Sequence, residues 1–185
     1  LRLADNIALA RAVDTGRPVI PVYISDSQDA GGASRWWLHH SLARLDKALR
    51  QRGSPLVVTA GAPERTLANL AAATGADTVF FNRRYEPESR DQEKRLADLP
   101  EPRLEIDASD DNLVCTPSGL RTQTGGYYRV FTPFWKALHS IGPARQPIPA
   151  YDRLPAFAAD SLSGSLPVAA LGVAHRPGQF GFVTS

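Results

Sequence analysis

The feature that most constrains the fold is a regular alternation of short apolar runs with segments long enough to form helices. Four β-rich runs predict buried strands, at residues 19–24, 56–58, 78–81 and 104–106. The intervening segments predict helices that begin at Asp5 or Asn6, Ser34, Pro63 and Pro87, and that end near Gly16, Gly53, Gly75 and Leu96. Strands that alternate with such helices predict an α/β fold, a doubly wound parallel (Rossmann-like) sheet with helices on both faces.

In a sheet of this kind, ligands bind beyond the carboxyl ends of the strands, at the point where the strand order reverses. The sequence therefore directs attention to three turns, at residues 23–26, 82–86 and 107–111. Each of these turns carries at least one carboxylate. We expect any small-molecule site of this chain to lie along that edge.

Several common kinds of site are absent from the sequence. There is no P-loop, no G-x-G-x-x-G loop, no nucleophile elbow and no H-E-x-x-H motif. His39 and His40 are adjacent and lack further ligands at a metal-binding spacing, so we interpret them as helix-surface histidines and expect no metal. A net charge of +2 is too small to argue for nucleic-acid binding by itself. The single cysteine, Cys115, fits a reducing cytoplasm, and no apolar run approaches the ~20 residues of a membrane span.

An unusually aromatic stretch, GYYRVFTPFWK, occupies residues 126–136. Its first half predicts a strand-like run from Tyr127 to Phe131. Thr132 is then a good N-cap and Pro133 suits the first position of a helix, because its missing N–H has no partner there in any case. On residue types alone, a short hairpin packed on a helix explains this stretch as well as a functional motif does.

Three stretches of the chain resemble the DNA photolyase/cryptochrome family. The first is YRVFTPFWK at residues 128–136, the second is NRRYEPESRD at residues 82–91, and the third is LRLADNIAL at residues 1–9. The resemblance extends over residues 1–141 and identifies them as the N-terminal α/β antenna-chromophore domain. Residues 142–185 are interrupted by prolines, and we interpret them as a Pro-rich interdomain linker and irregular tail.

In that family a central first strand precedes the stretch that Leu1 begins here, so we expect this chain to lack it. The sequence also contains no methionine, which favours a fragment of a longer protein. A parallel sheet without its central strand leaves two neighbours without ladder partners. The sheet would then be completed by residues ahead of Leu1 or by a substitute strand from the tail.

The resemblance implies that the parent protein is a light-driven DNA-repair flavoprotein, a cyclobutane pyrimidine dimer photolyase (deoxyribodipyrimidine photo-lyase). FAD and the contacts with UV-damaged DNA would belong to a helical domain outside this chain, so the chain alone is expected to be inactive. We expect a cytoplasmic, monomeric protein with no membrane partner. Two alternatives stay open: a cryptochrome-type blue-light photoreceptor, and a free-standing α/β module that binds a nucleotide or a flavin.

The resemblance also implies an antenna-chromophore pocket. Its predicted wall follows the second and fourth strands of the family's order and includes the two tryptophans of the long helix: Tyr23, Ser25, Asp26, Trp36, Trp37, Arg84 and Glu86. Glu86 is the preferred anchor, because a carboxylate accepts paired N–H bonds from a ring edge; the alternative is a surface salt bridge to Arg84 or Arg90. The chromophore would be of the methenyltetrahydrofolate or deazaflavin type. Glu88, Ser89 and Arg84 depart from the residues typical of either type, which leaves its identity open.

Overall fold

A computed structural model of the chain describes residues 2–25, 32–142, 145–157 and 179–184. Within these ranges the chain forms five helices and five strands. In chain order they are α1 (Ile7–Asp14), β1 (Val19–Ser25), α2 (Gly32–Gln51), β2 (Val57–Ala60), α3 (Pro63–Thr74), β3 (Thr78–Asn82), α4 (Pro87–Ala97), β4 (Glu105–Ser109), α5 (Phe131–Ser140) and β5 (Gln179–Thr184). The predicted α/β alternation is confirmed.

The five strands form one sheet in the order β2-β1-β5-β3-β4. β1 pairs with β2, and β3 with β4, in parallel, whereas β5 lies between β1 and β3 and is antiparallel to both. The sheet is therefore mixed and not parallel throughout. The resemblance assigns the central position of the sheet to a strand ahead of Leu1, and in this structure β5 occupies that position. Residues 179–184, which were predicted to belong to an irregular tail, therefore form a regular strand.

Two apolar layers cover the sheet, one on each face. On one face the side chains of α1 and α2 meet Tyr23, Phe80 and Phe182. On the other face the side chains of α3 and α4 meet Val22, Val79 and Val183. Successive residues of a strand point to opposite faces of the sheet, which explains why neighbouring residues of β5 belong to different layers. This double covering is the predicted doubly wound arrangement.

β5 runs so close to β3 that a side chain at one of its positions would make a tight contact with the backbone of β3. A Cβ atom added at Gly181 would lie 3.2 Å from the carbonyl oxygen of Phe80. The next residue, Phe182, is 1% exposed. The strand is thus built into the centre of the core and is not laid on its surface.

Helix ends follow local sequence signals in three of the five helices. The Oδ1 atom of Asn6 accepts from the amide of Leu9 and caps α1, as one of the two predicted caps. Gly75 closes α3 with φ of 72°, and Pro87 opens α4 at its first turn. The predicted caps at Ser34 and Thr132 are wrong: α2 already begins at Gly32, and α5 begins at Phe131 with Val130 at its N-cap.

The segment at residues 145–157 has no helix or strand but is fixed to the domain at both ends. Near its start, the amide of Asp5 donates to the carbonyl of Ile148 at 2.6 Å. Near its end, the amide of Leu154 donates to the carbonyl of Arg52, and the carbonyl of Pro155 accepts from the amide of Val19. Leu154 is buried in the α1–α2 layer. The run from Tyr127 to Phe131 was predicted to be strand-like, but residues 127–130 lie outside any strand and Phe131 begins α5.

Candidate functional site

The carboxyl ends of β1, β2, β3 and β4 meet at one edge of the sheet, and polar side chains concentrate there. Ser25 ends β1, Asn82 ends β3 and Ser109 ends β4, with Asn82 directly opposite Ser109 in the β3–β4 ladder. Ser25 and Ser109 are both buried, and the Oγ atom of Ser109 has no hydrogen-bond partner among the described residues. This edge is the one at which the sequence predicts a ligand site.

The N-terminus of α1 points at the same edge, and its first three amides are already satisfied. They donate to side-chain oxygens of Asp111 (from Ile7, 2.9 Å), Asn82 (from Ala8, 3.2 Å) and Asn6 (from Leu9, 3.1 Å). The amide nitrogen of Asn82 in turn donates to Asn6 at 2.9 Å. Asn82 therefore holds a helix in place, and this helix N-terminus has no free donor to offer an anion.

Asp111 is the centre of a second polar cluster, which we call the Asp111 cluster: Arg2, Asp5, Asp111 and Arg145. Its carboxylate, 3% exposed, accepts from Arg2 at 2.9 Å and from Arg145 at 2.6 Å. Arg145 also pairs with Asp5 at 2.6 Å, and this hydrogen bond, together with one from the amide of Ile148, lowers the pKa of Asp5. The cluster fastens the segment at residues 145–157 to the carboxyl edge.

In the turn after β3, two side chains bond to neighbouring elements and two others lie at the surface. Arg83 pairs with both carboxylate oxygens of Glu93, at 2.7–3.1 Å, and the hydroxyl of Tyr85 donates to Asp110 at 2.6 Å. The hydrogen bond to Glu93 raises the pKa of Arg83. Arg84 and Glu86 are exposed and face each other at 3.5 Å. The surface salt bridge that was the alternative for Glu86 is thus present.

The other predicted wall residues lie apart from this turn. Tyr23 is 1% exposed and belongs to the α1–α2 core layer, whereas Ser25 is buried at the carboxyl edge. Asp26 lies outside the described residues. Trp36 and Trp37 are 54% and 67% exposed near the start of α2, so neither contributes to the core. The structure brings Ser25, Arg84 and Glu86 to one edge of the sheet and leaves Tyr23 inside it.

The residues that sequence reasoning missed at this edge are Ser109 and Asp111. The turn at residues 107–111 was identified from topology, but nothing in its sequence shows which carboxylate is buried. The partners of Asp111 are distant in sequence: Arg2 lies more than a hundred positions earlier and Arg145 lies 34 positions later. Only the folded structure brings these groups together.

Three further observations concern the described residues. No group of three or more His, Cys, Asp or Glu side chains among them is arranged to hold a metal ion. An apolar cavity of about 20 Å³ lies on the α3–α4 face, lined by Val22, Ile24, Leu67, Val79, Phe81, Leu96 and Gly181. That volume suffices for about one water molecule and is far too small for a pterin or deazaflavin ring. In the described ranges no helix is both long and apolar enough to cross a membrane.

The aromatic stretch around α5 is exposed. None of the residues of α5 is buried. Phe131 stacks on Trp135, with centroids 5.9 Å apart, and Trp135 meets His139 edge-on. The large exposed apolar residues of this region are Tyr127, Val130, Phe131, Trp135 and Ile141. A surface of this kind is typical of an interface with another protein or domain.

Tyr85 gives a prediction for high pH. Burial and the hydrogen bond to Asp110 raise the pKa of Tyr85 to about 12. Since the folded-state pKa is above the unfolded one, the stabilising contribution is complete below pH ~10 and is lost as the pH rises towards about 12. We expect the tyrosinate absorbance of wild type minus that of Tyr85→Phe to rise with a midpoint near 12. A midpoint near the ordinary value of ~10 would contradict the proposed contact with Asp110.

Comparisons with known proteins agree on one family. The sequence model described as DNA photolyase matches residues 1–155. The deoxyribodipyrimidine photo-lyase of Agrobacterium fabrum is 49% identical over 141 residues, which are 75% of this chain and 29% of that protein. Cryptochrome-1 of Arabidopsis thaliana is 33% identical over 148 residues, 76% of this chain and 22% of that protein. The chain thus spans less than a third of either relative.

Solved structures give the same result. The crystal structure of a bacterial class III photolyase from Agrobacterium tumefaciens superposes with a TM-score of 0.86 at 41% identity, covering 93% of this chain and 36% of that one. An archaeal photolyase from Sulfolobus tokodaii, described as holding two FAD molecules and implying a novel light-harvesting cofactor, has a TM-score of 0.73 at 26% identity over 92% of this chain and 38% of that one. Both matches cover most of this chain.

Proposed function

Because the chain belongs to the DNA photolyase family, we propose that it is the α/β domain of a light-driven DNA-repair flavoprotein, a deoxyribodipyrimidine photo-lyase. The observation that carries the proposal is the 49% identity with the Agrobacterium photo-lyase, against 33% with Cryptochrome-1 over a stretch of similar length. FAD and the contacts with UV-damaged DNA would belong to parts of the protein outside this chain. The protein would act as a cytoplasmic monomer.

The role of the domain itself would be to hold an antenna chromophore and to support the rest of the protein. When bound, an antenna chromophore absorbs light and passes the excitation energy to the flavin. The exposed aromatic surface around α5 would be covered by the remainder of the protein, because more than two thirds of the Agrobacterium relative lies outside the matched stretch. Phe131 and Trp135 would be central to that contact.

The chromophore would be held at the carboxyl edge. Arg84 and Glu86 are exposed there, and their side chains form an ion pair at 3.5 Å that a ligand can replace at small cost. Ser25 ends the strand on the other side of β5. The carboxylate of Glu86 would accept N–H bonds from the ring, and Trp36 or Trp37 would supply the nearest aromatic surface. Asn82 would take no part, since its side-chain amide already bonds to the amide of Ala8 and to the side chain of Asn6.

Two other functions differ in what they require. A cryptochrome-type photoreceptor would use the same domain without dimer repair, which is compatible with the identity to Cryptochrome-1. A free-standing nucleotide- or flavin-binding module would bind its ligand with this chain alone. The exposed aromatic residues of α5 favour a domain of a larger protein over such a module.

The test is a hybrid in which the matched stretch of this chain replaces the 141 aligned residues of the Agrobacterium photo-lyase. We expect the hybrid to bind FAD and to remove thymine dimers from an irradiated oligonucleotide in light, and not in darkness. The 185-residue chain alone is expected to remain at the no-protein level with added reduced FAD. A hybrid that folds but does not repair, or repair by the chain alone, would contradict the proposal.

Glu86→Ala in the same hybrid tests the antenna site. We expect the antenna absorbance of the purified protein to fall about tenfold or more, because a charge-assisted pair of hydrogen bonds is removed. Arg95→Ala is the matched control, since Arg95 pairs with Glu64 on the neighbouring helices. Antenna absorbance as strong as in the unchanged hybrid would show that Glu86 is not the anchor.

A further inference from the structure

The outer side of α2 combines positive charge with exposed aromatic rings. The helix carries four basic residues and one acidic residue, so its net charge of +3 exceeds the +2 of the whole chain. Its acidic residue, Asp46, is engaged with Arg50 and with the amide of Leu56. Arg44 and Lys47 are exposed and have no ion pair among the described residues. Helix α2 is therefore a concentrated source of uncompensated positive charge.

The arrangement of these side chains around the helix is regular. With about 100° of rotation per residue, Trp36, His40 and Lys47 fall within ~40° of one another. Leu42, Leu45 and Leu49, which are buried, lie on the opposite side. Arg44 and Trp37 lie about 60–80° to one side of that line. We call these five residues the α2 stripe: Trp36, Trp37, His40, Arg44 and Lys47. From Trp36 to Lys47 it extends for ~16 Å at 1.5 Å per residue.

The indole ring of Trp36 is supported in its exposed position. It meets the ring of His40 edge-on, with centroids 4.4 Å apart. Burying such a ring in the core would be favourable, yet both tryptophans remain more than half exposed on a helix whose apolar side is complete. Exposed rings beside unpaired cations are the two elements by which proteins bind single-stranded nucleic acid: bases stack on the rings and phosphates meet the cations.

We propose that the α2 stripe binds single-stranded nucleic acid, with Arg44 and Lys47 on successive phosphates and Trp36 and Trp37 as stacking surfaces for bases. This contact is independent of the lesion site and of the flavin, so it would be made in darkness and with undamaged strands. It shares Trp36 and Trp37 with the proposed antenna site, so a bound chromophore and a bound strand would compete for these two rings. The positive charge of the stripe favours an anionic partner. Because the two tryptophans can stack on bases, we expect nucleic acid to bind more tightly than a polyanion without rings or a lipid surface.

The test uses the full 185-residue chain and a fluorescein-labelled thymidine oligonucleotide about 12 nucleotides long, read by anisotropy in darkness. We expect binding that weakens with salt. The double variant Arg44→Ala/Lys47→Ala should weaken it about tenfold or more at about 50 mM salt and reduce the salt slope by about 1.4, at ~0.7 per phosphate of a single strand. The matched control is Arg65→Ala/Arg103→Ala, two exposed arginines elsewhere on the domain without ion pairs among the described residues; it should change neither quantity.

The double variant Trp36→Ala/Trp37→Ala separates stacking from charge. It should weaken binding about tenfold, leave the salt slope unchanged and remove the quenching of tryptophan fluorescence by the oligonucleotide. Unchanged thermal unfolding would show that these exposed substitutions leave the fold intact. The proposal is overturned if the oligonucleotide does not bind, if the control arginines matter equally, or if the tryptophan variant binds normally. It is also overturned if dextran sulfate or phosphatidylglycerol vesicles bind more tightly through the same residues.

Discussion

Replacing Phe182 by aspartate is expected to abolish the cooperative unfolding transition of this chain. Phe182 lies in the central strand β5, faces the α1–α2 layer and is 1% exposed. Truncating a buried phenylalanine costs about 3–5 kcal/mol, and a buried carboxylate adds several kcal/mol more. Against a total stability of about 5–15 kcal/mol, this loss is sufficient to release β5 from the sheet.

Releasing β5 would have a larger effect than losing a strand at the edge. The backbone groups of β1 and β3 that face β5 would lose their ladder partners in the middle of the sheet, beneath helices on both faces. The measurement is thermal unfolding followed by far-ultraviolet circular dichroism. Phe182→Leu serves as one control and should cost only about 1–2 kcal/mol. Val130→Asp, an introduced charge at an exposed site, serves as the other and should leave the transition unchanged. A sharp transition in Phe182→Asp at the wild-type temperature would show that β5 does not complete the sheet.

The strands that the sequence predicts well are those whose identity is local. Residues 19–24 are a continuous run of apolar and β-branched residues, and the structure extends that strand by a single residue to Ser25. The helix ends at Gly75 and Asn6 were predictable for the same reason, because the left-handed backbone of one and the side-chain cap of the other depend on neighbouring residues alone.

β5 could not be predicted in this way, because its identity depends on what surrounds it. Residues 179–184 are six in number and include a glycine, and they form a strand only where β1 and β3 offer ladder partners on both sides. The possibility of a substitute strand from the tail follows from the need to pair those neighbours. The residues of that strand and its antiparallel direction do not follow from this need, since a strand of either direction could pair with β1 and β3.

The location of the candidate site could be predicted from the sequence, but the arrangement of its side chains could not. Topology located the carboxyl edge and its three turns. Which side chains point outward depends on strand register, and the period of two places Tyr23 on the core face together with Phe80 and Phe182 of the neighbouring strands. In the turn after β3, Arg83 and Tyr85 are engaged by Glu93 and Asp110, which leaves Arg84 and Glu86 at the surface. Such long-range partners are not visible in a local pattern.

Asp111 is the residue whose long-range contacts matter most, and Asp111→Ala is expected to destabilise the chain by about 2–3 kcal/mol. The substitution removes the acceptor of the Ile7 amide and of two guanidinium groups, those of Arg2 and Arg145. Both arginines are partly exposed, so water can solvate them once they are released, and the cost stays below that of a fully buried broken pair. For a chain of this size the melting temperature should fall by roughly 5–10 °C.

The neighbouring variant Asp110→Ala separates this effect from a general loss of negative charge. Asp110 is more exposed and accepts from Tyr85 and Arg83, and Arg83 keeps its paired contact with Glu93. We therefore expect a loss of about 1 kcal/mol or less. A second measurement is specific to the Asp111 cluster: tryptic cleavage after Arg145 should become faster in Asp111→Ala and stay unchanged in Asp110→Ala, because Arg145 pairs with Asp111 and Asp5 and not with Asp110. Equal melting temperatures and equal cleavage in the two variants would mean that Asp111 does not fasten the segment at residues 145–157 to the sheet.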